Sequence, residues 1–178
     1  MARGTSFEGF RFGLHPGVSR SSQLTIEVQR GDAAAFQELV HSYDAMVMRI
    51  ALALTGSQDS AQEIYFRVFR DAFASVYRLG SGSSVFVWLH QILAKHCIEY
   101  CRQKHGYAAT SGSRNLAEVL RALPPTERVV FLLKHSQGLK IHTVAEIFGC
   151  SAERIASILE SATIALRAEL KPHFPKIA

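Results

Sequence analysis

The sequence predicts an all-α protein made of two small helical domains joined by a short linker. Three observations lead there. Apolar residues recur at helical spacing through two long blocks. No stretch alternates with period two for long enough to suggest a sheet. The segment Leu123 to Arg167 reads as an apolar helix, a glycine turn, a short helix, a tight turn and an amphipathic helix. That order marks a helix-turn-helix, which can offer its last helix to a DNA major groove.

Each element has its own signal. Residues 1–22 are rich in Gly, Ser and Arg, lack periodicity and hold Phe7, Phe10 and Phe12. The composition predicts a disordered arm, either a tail without a role or one that docks its aromatics on a partner. Residues 23–105 form the first helical domain. Ala34, Phe36, Leu39, Val40, Tyr43, Val47, Ile50, Ala51 and Leu54 recur at helical spacing, and Gly56 is a fitting C-cap. Ser60 to Val76 is the next helix, with Ala61, Ile64, Val68, Ala72 and Phe73 on one face. Gly80 to Ser84 is a flexible loop. Val85 to Lys104 is a long helix carrying Val85, Trp88, Leu89, Ile92, Ile98 and Cys101.

Residues 106–114 are a polar linker. The stretch from His105 to Asn115 spans only about 35 Å when fully extended, which argues for two domains held close together. Residues 115–172 form the second helical domain, with Gly149 at its turn and Ser151 as N-cap of the last helix. Pro172 and Pro175 end it, leaving residues 173–178 as a tail.

The wording of both domains is specific. Leu123-Pro124, Arg128 to Leu133, Gly138-Leu139 and Val144 to Ser151 resemble the fourth region of the extracytoplasmic-function sigma factors of bacterial RNA polymerase. Gly31-Asp32, Ala35-Phe36, Leu39-Val40, Tyr43, Leu54 to Gly56, Ser83-Ser84, Trp88-Leu89, Ile92, Cys97 to Glu99 and Arg102 resemble the second region of the same family. The two blocks stand in the family's order and cover most of the chain after Ser22. The first domain is thus expected to be a sigma region 2-like bundle, and the second a sigma region 4-like helix-turn-helix.

The resemblance implies recognition rather than catalysis. It implies core RNA polymerase and promoter DNA as partners, an anti-sigma factor that holds the free protein, and no cofactor. In the family, the loop before the long helix captures one unstacked promoter base, which calls for a small hydroxyl-rich loop, apolar walls and cations for the phosphates. Arg78, Ser83, Ser84, Trp88, Lys95, His96, Arg102 and Lys104 fill those roles here, with His90 placed to assist. On charge alone the same cations also read as a solvated basic face, and Trp88 as a core residue. In the helix-turn-helix the candidate DNA contacts are Lys140, His142, Thr143, Arg154 and Ser157. Glu153 and Glu160 oppose phosphate there, and exposed Ile158 and Ile164 would suit a protein surface.

The helix after Ser60 meets the polymerase clamp in the family, through acidic and amide side chains. Asp59, Gln62 and Glu63 match that chemistry, whereas Phe66 and Arg67 depart from it. Two function classes therefore stand side by side. One is an alternative sigma factor that binds core polymerase and directs promoter recognition. The other is a sigma-derived protein acting through protein–protein contacts without reading a promoter.

Composition narrows the field. The 178 residues carry 20 Lys and Arg against 15 Asp and Glu, a formal charge of +5. That suits nucleic acid and equally an ordinary basic protein. No apolar run approaches the roughly 18 residues of a membrane span, and no secretory h-region opens the chain, so membrane insertion is not expected and the cytoplasm is. Three cysteines do not suggest a disulfide framework. Cys97, Cys101 and His105 recur every fourth residue, but successive side chains on one straight helix spread too far for a zinc site, and buried cysteines are the simpler reading. No nucleophile elbow, phosphate-binding glycine loop or dinucleotide fingerprint points to an enzyme.

Overall fold

The computed structural model describes residues 18–80, 83–104 and 116–170. The arm up to residue 17, Ser81 and Gly82 of the loop, the linker and the tail beyond residue 170 lie outside the described residues. All described secondary structure is helical. The first half holds α1 (Val18–Gln29), α2 (Ala33–Thr55), α3 (Gln58–Ser75), a single 3-10 turn (Val76–Arg78) and α4 (Val85–Gln103). The second holds α5 (Leu116–Ala122), α6 (Pro125–Ser136), α7 (Ile141–Phe148) and α8 (Ala152–Leu170). α1 begins at Val18, so the helix reaches into the segment expected to be arm.

Local chemistry sets the boundaries. The Asp32 carboxylate caps α2 by accepting from the Ala34 and Ala35 amides, and Gly56 ends it in the left-handed region at φ 66°. Ser57 caps α3 and Ser84 caps α4, each through its hydroxyl. Pro125 opens α6, where a missing amide costs nothing. Gly149 closes α7 at φ 61°, its amide and that of Cys150 covering the last carbonyls. Ser151 then accepts from the Arg154 amide to start α8.

α2, α3 and α4 pack on one another through Leu39, Val47, Ile50, Val68, Leu89 and Leu93, all fully buried. This core does not stop at the first half. α6 rests on both α2 and α4, and α7 rests on α4. Leu133, Val144, Ile147 and Ile155 belong to the same apolar cluster as Leu24 and Cys97. A separate small cluster, Val119, Leu123, Ala162 and Leu166, ties α5 to α8. The buried Arg128 guanidinium secures this corner. It donates to the carbonyls of Arg121 and Leu123 at the end of α5.

Two apolar assignments change on folding. Phe73 is 64% exposed, and Phe69 takes the inward place expected of it. On a helix, Phe73 sits about 40° further round than Phe69 from the Ala61–Ile64–Val68 stripe. Its ring instead meets Phe36 edge-on at 5.0 Å between centroids. Ala34 is exposed at the first turn of α2 while Ala35 is buried.

Candidate nucleic-acid and polymerase interfaces

Three surfaces carry the residues singled out from the sequence. The first runs along α4. Trp88, Gln91, Lys95 and Arg102 follow at helical intervals on one face, opposite the buried stripe of Leu89, Leu93 and Cys97. The ridge is about 21 Å long from Trp88 to Arg102. Lys95, Arg102 and Lys104 are exposed, with exposed Glu99 and partly exposed Asp71 as opposing charges nearby. At its N-terminal end opens a cavity of about 390 Å³, lined by Arg78, Leu79, Gly80, Ser83, Ser84, Val87, Trp88 and Gln91.

Arg78, Ser83, Ser84 and Trp88 are thus brought together around one cavity. Ser84 also caps α4, accepting from the Val87 amide at 3.3 Å, so the loop that lines the cavity sets the helix as well. Trp88 is half-buried against the core and also walls the cavity. Beside the cavity Arg78 lies over the Tyr77 ring, 5.3 Å from its centroid.

His96 and His90 are corrections. His96 is 6% exposed and cannot reach a phosphate. It follows Leu93 by three residues and Leu89 by seven, which puts it on the inward face. Its Nε2 instead meets the Asp71 carboxylate of α3 at 2.9 Å. Partial burial pushes the Asp71 carboxyl up, but Arg70 and His96 beside it outweigh that and hold it below the usual range. His90 is fully buried, its Nδ1 bonded to the Phe86 carbonyl at 2.8 Å one turn back. Neither Asp71 nor Gln91 was singled out from the sequence, because their partners lie 25 and 55 residues away.

The second surface is the outer face of α3. Asp59, Gln62, Glu63 and Phe66 are exposed on one stripe, with half-buried Arg67 at its edge. Arg67 is bonded to Glu63 one turn back, so its charge is spent within the stripe. The acidic and amide groups of Asp59 and Gln62 remain outward. Phe66 is 68% exposed and touches Tyr65 edge-on.

The third surface is the helix-turn-helix. Lys140, His142, Arg154 and Ser157 are exposed around the α7 and α8 starts, and Thr143 is half-buried. Glu153 stands among them. Its own backbone amide and the Ser151 hydroxyl hold its carboxyl below the usual range, so it stays anionic at the head of α8. Ile158 is half-buried against the core rather than exposed, whereas Ile164 is 62% exposed. Cys97 and Cys101 are buried on α4, and burial pushes both thiols up, with Arg128 opposing it at Cys101. No cluster of three metal-ligating side chains occurs among the described residues.

The unexpected lining residue is Glu146. It comes from α7, yet it completes the wall of the cavity on α4, and its backbone carbonyl accepts from Gln91 Nε2 at 3.4 Å.

Comparison with known proteins agrees with this geometry. The family model for sigma-70, region 4, matches residues 113–162. The chain is 26% identical over 178 residues to the "Probable RNA polymerase sigma factor RfaY" of Xanthomonas campestris, covering 83% of this chain and 43% of that protein. It therefore spans less than half the length of that relative. It is 21% identical to the RNA polymerase sigma-H factor of Pseudomonas aeruginosa, covering 86% of this chain and 95% of that one. With the RNA polymerase sigma factor SigV of Bacillus subtilis it shares 23% identity, covering 68% and 82%. Among solved structures, the fold matches that of CnrH in complex with the cytosolic domain of CnrY at a TM-score of 0.70 and 17% identity, covering 86% of this chain and 99% of that one. It matches the sigma factor RpoE, solved with the anti-sigma factor NepR from Bartonella quintana, at 0.58 and 20%, covering 78% and 98%. The match to sigma-70, region 4, covers the helix-turn-helix, and the relatives that span both helical regions make the chain similar to RNA polymerase sigma factors.

Proposed function

We infer that this protein is an alternative sigma factor that binds core RNA polymerase and directs it to promoters. The chemistry is recognition rather than catalysis. The Asp59–Gln62–Glu63 face of α3 docks on the polymerase. The α7–α8 pair meets promoter duplex through Lys140, His142, Thr143, Arg154 and Ser157. The cavity at Arg78, Ser83, Ser84 and Trp88 takes an unstacked base, and Lys95, Arg102 and Lys104 hold the phosphates of the strand that follows. The observation that carries this reading is the continuity of cavity and ridge. A pocket of base-holding size opens onto a face with cations at helical spacing, as single-stranded DNA binding requires.

An anti-sigma factor is the expected regulator of the free protein, in keeping with the anti-sigma factor NepR bound to the structural neighbour RpoE. No helix among the described residues is long and apolar enough to cross a membrane. The site of action is the cytoplasm, where the polymerase works. Co-purification of the tagged protein with core polymerase tests the reading. The unaltered chain is retained by core enzyme, and Asp59→Lys together with Glu63→Lys is not. Equal retention of both would remove α3 from the polymerase contact.

A further inference from the structure

Along the outer groove between α3 and α4 lies a second cavity, of about 310 Å³. Asp71, Ala74 and Ser75 of α3 line it, with Arg78 just beyond α3 and Ile92 and Lys95 of α4. Ala74 and Ile92 offer apolar surface to the face of a base. Arg78 and Lys95 are exposed cations, suited to the phosphates of a strand. Asp71 is the odd member. An acid beside these cations opposes phosphate, so it weakens the hold on a backbone. What it can do instead is accept a hydrogen bond from a base edge.

The carboxylate is held from the inside and still has room to bind. Its Oδ2 meets Nε2 of His96 at 2.9 Å, and His96 is itself buried. That bond ties the acid to α4 and fixes where it sits. Its Oδ1 accepts from Arg70 at 3.2 Å, an exposed pair between neighbouring residues that adds little. The Ser75 hydroxyl does not compete, because it donates to the Asp71 backbone carbonyl at 2.6 Å. A carboxylate offers about four lone-pair sites, so acceptor capacity remains on a side chain that is 32% exposed. Partial burial pushes the carboxyl up, but Arg70 and His96 outweigh that and hold it below the usual range, so it is an anion at neutral pH. An anion of this kind accepts and cannot donate.

Cytosine, adenine and guanine each carry an exocyclic amine, which donates. Thymine presents a carbonyl oxygen where cytosine presents its amine, and its one ring N–H is flanked by oxygens that repel a carboxylate. Resting on the assignment of α4 to the melted promoter strand, we propose that Asp71 reads one base of that strand in the α3–α4 cavity, accepting from the exocyclic amine of cytosine, adenine or guanine and rejecting thymine. Arg78 and Lys95 supply the hold on the backbone, and Asp71 supplies the choice of base. The acid lowers total affinity and raises selectivity, since the wrong base leaves two acceptors facing each other.

The test compares two fluorescent single-stranded 20-mers by anisotropy at low salt, one all thymine and the other carrying cytosine at every third position. Cytosine and thymine match in size, so the ratio of the two affinities reads this hydrogen bond. The unaltered protein is expected to prefer the cytosine strand by about tenfold. Asp71→Asn keeps an oxygen for His96 and turns an amide N–H toward the cavity, so it is expected to prefer the thymine strand. Asp71→Ala is expected to bind the two strands equally, and the thymine strand more tightly than the unaltered protein does. The ratio is insensitive to any unfolded fraction of a variant. Equal binding of both strands by the unaltered protein, or binding of neither, overturns the proposal, as does a preference that both variants retain. Transcription by the unaltered protein with core polymerase is scored separately. Its absence would strike the sigma-factor assignment, whereas transcription without the cytosine preference would strike the Asp71 reading alone.

Discussion

At the scale of single residues, the polar groups inside the protein explain most of what the sequence hid. Arg128 is buried yet its charge is useful, since it satisfies two carbonyls at the end of α5 that no helical amide can reach. Burial pushes its pKa down, with the Cys101 sulfur opposing the shift. Arg128→Ala removes these bonds and leaves the carbonyls unpaired. The expected loss is about 3 kcal/mol, read as a fall in Tm of about 6–12 °C. An unchanged Tm would show that water replaces the guanidinium. Asp71 behaves differently because it is partly exposed. Its carboxyl is lowered in the folded protein, so the stability it adds is present above the unfolded value near pH 3.9 and is lost as pH falls below it. A plot of stability against pH should be flatter in that acidic range for Asp71→Asn than for the unaltered chain. Identical curves would mean that the bond to His96 does not couple α3 to α4.

These residues also mark how far sequence reasoning reaches. His96 looked like a phosphate contact because it stands next to Lys95. Its spacing from Leu89 and Leu93 carried the opposite message, which the local pattern of charge concealed. His90 shows the same thing. A histidine bonded to a carbonyl one turn back can sit in a core without any distant partner to betray it. Nothing in the order of residues could place Glu146 at the cavity, since that contact joins positions 55 residues apart.

At the scale of elements, caps and amphipathic faces were legible. Gly56, Gly149 and Ser151 ended or started helices where turn chemistry demands it, and the alternation of buried and exposed faces held through α2, α4 and α8. The main exception is Phe73, whose place at the edge of the α3 stripe could not be told from Phe69 by spacing alone. Gly149 gives a direct check on the turn of the helix-turn-helix. At φ 61° an alanine pays for a Cβ in the left-handed region, so Gly149→Ala should cost about 1–2 kcal/mol in thermal or denaturant unfolding. No loss would mean that the turn relaxes to another conformation. The α4 ridge makes an electrostatic prediction. Lys95→Ala and Arg102→Ala should each lower the slope of log affinity against log salt for single-stranded promoter DNA by about 0.7, and do so regardless of sequence. Slopes equal to that of the unaltered chain would leave the ridge as a solvated face.

At the scale of the whole molecule, the two halves share one apolar cluster, and the order of their interfaces along the chain follows from it. α3 turns its acid and amide stripe outward. α4 turns its cations outward as well, but yields the head of its ridge to α7. The helix-turn-helix keeps Lys140, His142 and Arg154 exposed while Glu146 on its other side lines the cavity. Fold and family were readable because both depend on local periodicity and short motifs. The arrangement of one half against the other depends on contacts between distant residues, and only the short linker hinted at their closeness. On the outer face of α3, Arg67 is paired with Glu63.

The central claim is tested most directly by transcription. Purified core polymerase is mixed with the protein and given fragments of bacterial genomic DNA, and the 5′ ends of the transcripts are mapped. Discrete start sites that appear only with this protein, and that share upstream sequence, are the predicted result. Failure to bind core enzyme or to yield such starts, where a control sigma factor yields its own, would contradict the account.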